Sequence, residues 1–185
     1  MSLPSKPNAL TYLSTLRLLR SYSSRPGMLA TVSSQALCAP AELRRGRPGD
    51  LDALLALELL FPSDRVSRRG WRRFLVSSRA TVLVAASGDA VLGNLVLLRR
   101  AGSDKARIYS VVVTPAARGQ GLGERLVAEA ERVAAAEGCA AVSLEVRADN
   151  AAARALYAKR GYREERALPA YYDDGADGLR LVKAL

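Results

Sequence analysis

The segment Arg118-Gly119-Gln120-Gly121-Leu122-Gly123 constrains this chain more than any other, because three glycines at alternate positions open directly into a helix-forming run. Behind it, Leu122, Leu126, Val127, Ala130, Val133 and Ala134 recur at the spacing that lines one face of a helix. Ahead of it, RIYSVVV (residues 107–113) reads as a strand that stops at Thr114-Pro115. Such a turn leaves main-chain amides exposed at the helix start, and without Cβ atoms a bulky anion can approach them closely. The turn is expected to be a phosphate cradle, with a plain ligand-free turn as the alternative.

Two other cradles fail on spacing. A P-loop ends in Gly-Lys followed by Ser or Thr, whereas Gly123 is followed by Glu124 and Arg125. A dinucleotide fingerprint places its glycines as G-x-G-x-x-G, and here they stand at 119, 121 and 123.

The remaining elements follow from period and punctuation. AELRRGR (41–47) predicts a short strand, and Asp50 is placed to cap the helix LDALLALELLF (51–61), which Pro62 interrupts. VSRRGWRRFLVSS (66–78) predicts an arginine-rich helix, and TVLVAA and VLGNLVLL flank Gly88-Asp89 as a hairpin. Gly138 ends the long helix. In CAAVSLEVR, Val142, Leu144 and Val146 share one side of a strand while Ser143, Glu145 and Arg147 share the other. Asn150 is placed to cap a final helix closed by Gly161, and the tail around Asp174-Gly175 offers one or two more strands. Strands interleaved with helices predict an α+β fold, a mixed sheet with helices packed on its faces.

Composition narrows the chemistry. Histidine is absent, and Cys38 and Cys139 are the only cysteines, which removes a histidine-based triad, an ordinary zinc site and a disulfide framework; no metal is expected. Cys139 opens an apolar strand and reads as a small buried hydrophobe. No run approaches the roughly 20 apolar residues of a membrane-spanning helix. The formal charge of +10 is uneven: residues 1–100 carry 15 basic and 6 acidic side chains, residues 101–185 carry 13 and 12. Arg65, Arg68, Arg69, Arg72 and Arg73 cluster around Trp71. They form either a solvated helix face or a surface for phosphates, nucleic acid or an acidic substrate.

Residues 1–41 hold no Asp or Glu and differ from everything after Glu42. They are taken as an N-terminal extension, expected to be a tail, with a transit peptide or sequence upstream of a start at Met28 as alternatives. Residues 42–185 form the expected domain, and a cytoplasmic location is expected.

With the glycine turn and LEVRADNAAARALYAKRGY (144–162) in hand, the chain resembles the GNAT superfamily of N-acetyltransferases, especially ribosomal-protein-alanine N-acetyltransferases. Arg118, Gly121 and Gly123 match the superfamily signature, and the likeness spans roughly 42–185. The resemblance implies the acyl-CoA N-acyltransferase fold and acetyl-CoA as co-substrate. It further implies that main-chain groups of Val111, Val112 and Val113 pair with the pantetheine arm. Arg118, Gly119, Gln120, Gly121, Leu122, Gly123 and Glu124 would hold the pyrophosphate, and Asn150 would touch the cofactor. The family's strand glutamate falls on Glu145 and its helix tyrosine on Tyr157.

These residues meet what the chemistry demands. An ammonium must lose a proton before attacking a thioester, and Glu145 can accept it, directly or through water. The departing thiolate needs a proton or a hydrogen bond, and the Tyr157 phenol can supply it. A backbone amide near Val113 is the candidate oxyanion donor. The acceptor is expected to be a primary amine: a protein N-terminus, a lysine or a small molecule. The basic segment FPSDRVSRRGWRRFL, expected over the acceptor cleft, suggests an acidic one. Tyr171 and Tyr172 either line that cleft or serve the scaffold, and the proline that commonly follows such a tyrosine pair is missing. Two other functions compete: a non-catalytic CoA-binding regulatory module, and a basic nucleic-acid-binding protein, for which no aromatic RNA motif or DNA-reading helix pair is present. A homodimer is compatible with the resemblance.

Overall fold

The computed structural model describes residues 41–60 and 65–185. Cys38, Pro62 and the expected extension up to residue 40 lie outside the described residues.

Seven strands, β1 (Glu42–Arg45), β2 (Ala80–Ser87), β3 (Ala90–Arg99), β4 (Lys105–Val113), β5 (Ala141–Arg147), β6 (Arg163–Leu168) and β7 (Gly178–Ala184), form one mixed sheet in the order β1-β2-β3-β4-β5-β7-β6. All neighbours are antiparallel except β4 and β5. That parallel pair is joined by the crossover helix α3 (Leu122–Ala136). Helices α1 (Leu51–Glu58) and α2 (Arg68–Val76) lie between β1 and β2 in sequence, and α4 (Ala151–Lys159) follows β5.

Two apolar layers sandwich the sheet. On one face Leu122, Leu126, Val127, Ala130, Val133 and Ala134, the stripe expected from their spacing, pack with Val142, Leu144, Val146 and Tyr157. Cys139 is buried in the same layer. On the other face Leu54, Val66 and Trp71 cover Val82, Val84, Ala86 and Val96. Trp71 is fully buried and meets Phe74 edge-on at 6.2 Å, and Phe74 meets Tyr109 of β4 at 5.4 Å. Aromatic pairs of this kind contribute about 1 kcal/mol each beyond their burial, and the Phe74–Tyr109 pair ties α2 to β4. Ser67 accepts a hydrogen bond from Gly70 N at 3.1 Å and fixes where α2 begins.

Several local expectations change, among them α2, which runs Arg68–Val76 rather than over 66–78. The first strand is four residues rather than seven, and α1 ends at Glu58, short of residue 61. Asp50 precedes α1 without capping it: its carboxylate takes Arg47 N at 2.7 Å and the Arg44 guanidinium at 2.7 and 2.8 Å. A guanidinium fork in reach outcompetes a helix amide for a carboxylate. The tail forms two strands, with Asp174-Gly175 in the connection between them. Among the described residues no helix is long and apolar enough to cross a membrane.

Candidate active site

β4 and β5 touch along only three pairs, Lys105–Ala141, Ala106–Val142 and Arg107–Ser143, and then part. The register between β3 and β4 shifts after Ile108, leaving Tyr109 as an extra residue before Ser110 resumes the pairing. Such a bulge bends its strand and increases the local twist, which carries the carboxyl half of β4 away from β5. From Ile108 to Val113 the β4 edge facing β5 has no ladder partner among the described residues.

Main-chain groups alternate between the two edges of a strand. Thr114 N bonds Leu92 O at 2.8 Å, on the β3 side, so the amide of Val113, and by the same alternation that of Val111, is turned to the parted edge. Val112 differs from the expectation made for it: its carbonyl faces β3, where a Cβ on Gly93 would stand 2.8 Å from it.

The glycine turn closes the mouth of this gap. After one tight helical turn at Pro115–Ala117, Gly119 (φ 77°) and Gly121 (φ 71°) take the left-handed conformation and α3 begins at Leu122. The first helical bond runs from Arg125 N to Gly121 O, so the amides of Leu122, Gly123 and Glu124 precede it with no helical acceptor. A Cβ added at Gly119 or Gly121 would meet no atom within 4 Å, so the space beside these two glycines is open. Gly123 sits against β4, 4.0 Å from Val113 Cγ2 by the same construction. Arg118 Nε is buried without a hydrogen-bond partner, and Glu124 holds Lys159 at 3.2 Å, pinning α4 beside the turn.

Tyr157 projects from α4 into the core layer that also holds Val111 and Val113 of β4. Its ring is fully buried, edge-on to Tyr162 at 5.4 Å, and its hydroxyl has no hydrogen-bond partner. Burial, helped by the neighbouring Tyr162 and Tyr172, pushes this phenol well above its ordinary pKa, so it keeps its proton. A buried hydroxyl without a partner costs about 1–3 kcal/mol, a debt that a ligand atom arriving there would remove. Asn150 caps α4, its side chain accepting from Ala153 N at 3.1 Å.

Glu145 is more tightly engaged than the sequence suggested. It lies on the opposite face of β5 from the core and is completely buried. Its Oε2 accepts from Arg107 Nε and Nη2, both at 2.8 Å, and its Oε1 from Arg180 Nε at 3.0 Å and Nη2 at 2.7 Å. Both oxygens are occupied by guanidinium forks, so an amine reaches Glu145 directly only when one fork moves aside.

Arg107 and Arg180 went unnoticed in the sequence, because they become neighbours of Glu145 only through the pairing of β5 with β4 and β7. Asn94 was missed for the same reason. It is fully buried on β3 opposite Val112, and both atoms of its amide lack partners. Arg147 grips Asp149 at 3.1 Å and Asp174 at 2.8 Å, and its guanidinium lies 5.0 Å over the ring of Tyr172. Tyr172 is thereby buried under a charge, with Tyr171 edge-on beside it at 5.2 Å. In the described part of the basic segment, Arg68 pairs with Asp52 at 2.8 Å while Arg69, Arg72 and Arg73 face solvent; residues 61–64 lie outside the described residues.

A sheet that parts beside a glycine turn at a helix start defines an acyl-CoA N-acyltransferase fold. The pattern of the acetyltransferase (GNAT) family matches residues 51–162, and the chain belongs to that family. An uncharacterised N-acetyltransferase of Methanocaldococcus jannaschii is 38% identical over 77 residues, 41% of this chain and 49% of that protein. A protein of Bacillus subtilis named as a putative ribosomal protein bS18-alanine N-acetyltransferase is also 38% identical over 77 residues, 41% of this chain and 51% of that one. The chain thus spans about half the length of these curated relatives. Among solved structures, Arabidopsis thaliana NAA60 in complex with acetyl-CoA superposes with a TM-score of 0.70 at 18% identity, over 78% of this chain and 98% of that one.

Proposed function

We propose that this protein is an acetyl-CoA-dependent N-acetyltransferase that acetylates a primary amine by direct attack, with residues 42–185 as its catalytic unit in the cytoplasm. One observation carries the reading: the parted edge of β4 runs straight into the open glycine turn, and the unpartnered Tyr157 hydroxyl is buried in the core layer that Val111 and Val113 share. That geometry suits a ligand with an anionic head, an extended amide-bearing arm and a reactive end. Membership of the family and the acetyl-CoA complex of its structural neighbour support the same substrate.

Acetyl-CoA supplies the activated acyl group as a thioester. The amides of the turn and the first turn of α3, together with Arg118, would meet its phosphates. Val111 and Val113 would offer main-chain groups to the arm, Asn150 would border it, and the Val113 amide would stabilise negative charge on the acyl oxygen. Tyr157, protonated and desolvated, would hydrogen-bond the leaving sulfur and give up its proton to it. Glu145 is the proposed proton acceptor for the ammonium, through water or after a guanidinium has yielded its place.

The test combines thermal unfolding with thiol release. Millimolar acetyl-CoA should raise the midpoint, and release of free CoA should depend on an added amine from a panel of peptides, polyamines and small amines. Stabilisation without release from any acceptor would leave a CoA-binding module, and no stabilisation at all would defeat the proposal.

A further inference from the structure

The face of the sheet that carries Glu145 holds more positive than negative side chains in one short row. Glu145, Arg180 and Arg166 stand in one row across β5, β7 and β6, since Glu145 pairs with Arg180 and Arg180 with Arg166 in the ladder. Residues directly opposite in antiparallel strands project to the same face, so two guanidinium side chains stand side by side there. Like charges in that position repel. Among the described residues Arg166 is exposed and without a partner, while Arg180 is tied only to Glu145, with 30% of its side chain exposed. On the far side of Glu145, Arg107 adds a further positive charge. The acids close by are engaged elsewhere: Glu165 pairs with Lys105 at 3.2 Å, Asp177 accepts from Ala170 N at 2.8 Å, and Asp149 and Asp174 are held by Arg147.

An ammonium entering this place alone would add a fourth positive group beside one buried carboxylate, an arrangement whose desolvation is not recovered. We propose that the acceptor is an amine carrying its own carboxylate, and that it binds by opening the Arg180–Glu145 ion pair. The acceptor's carboxylate takes Arg180, with Arg166 beside it, and its ammonium takes the vacated Oε1 of Glu145. Charge is conserved in the exchange, since one ion pair becomes two. Arg107 meanwhile holds Oε2, keeping Glu145 in position to receive the proton as the amine attacks. Adjacent strands lie about 4.8 Å apart, so the amine and the carboxylate should be separated by roughly 5–10 Å. An acidic side chain on the first or second residue of a peptide, or a free acidic amino acid, has that reach. This inference rests on the acetyltransferase reading and names its substrate class.

The experiment measures CoA release with peptides that differ only in Asp against Asn, or Glu against Gln, at the first or second position, and with free aspartate and glutamate. Wild type should favour the acidic member of a pair by about tenfold or more in kcat/KM. Arg180→Met should reduce that preference to within about twofold, with stabilisation by acetyl-CoA unchanged. Arg166→Met, at an exposed position that does not endanger folding, should lower the preference several-fold, chiefly through KM. Equal rates on acidic and amide acceptors in wild type, or an undiminished preference in both variants, would overturn the inference and leave the activity standing. Release from no acceptor would instead remove the acetyltransferase reading itself. A response to free amino acids alone, or to peptides alone, identifies the source of the carboxylate.

Discussion

Arg160 of α4 places its Nη2 2.6 Å from Oε2 of Glu131 on α3, an oxygen that Lys183 of β7 also reaches at 2.6 Å. Burial alone would raise the Glu131 carboxyl, but the hydrogen bonds from Arg160 and Lys183 outweigh it and hold the group below the ordinary value of 4.5. A carboxyl depressed in the folded state stabilises the fold fully above the unfolded value, and that contribution fades as pH falls through the folded value. Thermal unfolding should therefore show a loss of stability beginning below about pH 4.5. Glu131→Gln should lower the midpoint by about 5 °C at pH 7, and the difference from wild type should narrow steadily in acid.

Tyr157→Phe removes the unpartnered hydroxyl and little else. The substitution is expected to leave the unfolding midpoint unchanged or slightly higher, because a buried polar atom without a partner disappears. Turnover should fall about 100-fold while acetyl-CoA still stabilises the protein. Since burial holds this phenol well above its usual pKa, the wild-type rate should show no alkaline decline from Tyr157 ionisation below about pH 10.

Glu145→Gln separates proton transfer from scaffolding. Two guanidinium forks would face a neutral amide, and the midpoint should drop by several degrees. If the carboxylate receives the ammonium proton, turnover should fall about 100-fold while acetyl-CoA still stabilises the protein. A variant that keeps wild-type turnover would remove Glu145 from that role.

Gly121→Ala and Gly93→Ala test two different uses of glycine. At Gly121 a Cβ would touch nothing, so the cost is the left-handed backbone alone, about 1 kcal/mol, and the main loss should be in acetyl-CoA stabilisation. At Gly93 a Cβ would stand 2.8 Å from Val112 O and 3.3 Å from Val113 Cγ2, forcing β3 away from β4 beside the gap. Thermal unfolding should show the larger drop for Gly93→Ala, on the order of 2–3 kcal/mol.

Local signals carried much of this architecture. The α3 stripe, the cap at Asn150, the hairpin at Gly88-Asp89 and the turn at Gly119–Gly123 each follow from residues within a few positions of one another. What stayed hidden depends on register between distant segments. Nothing near Glu145 in sequence announces Arg107 and Arg180, 38 and 35 positions away. Alternation places Glu145 on the side of β5 away from the apolar row, but does not reveal its complete burial or the two arginines that hold its carboxylate. Asp50 shows the same limit in miniature, where a good cap residue served a nearby arginine instead.

The short parallel ladder between β4 and β5 makes the molecule two halves, β1 to β4 and β5 to β7, stitched at one end by three residue pairs. An extended molecule lying along the free edge of β4 would act as a removable rung, bracing two sets of strands whose shared ladder ends after three pairs. Amide hydrogen exchange at Val111 and Val113 should then slow sharply on loading with acetyl-CoA, and the two halves should melt more nearly as a unit.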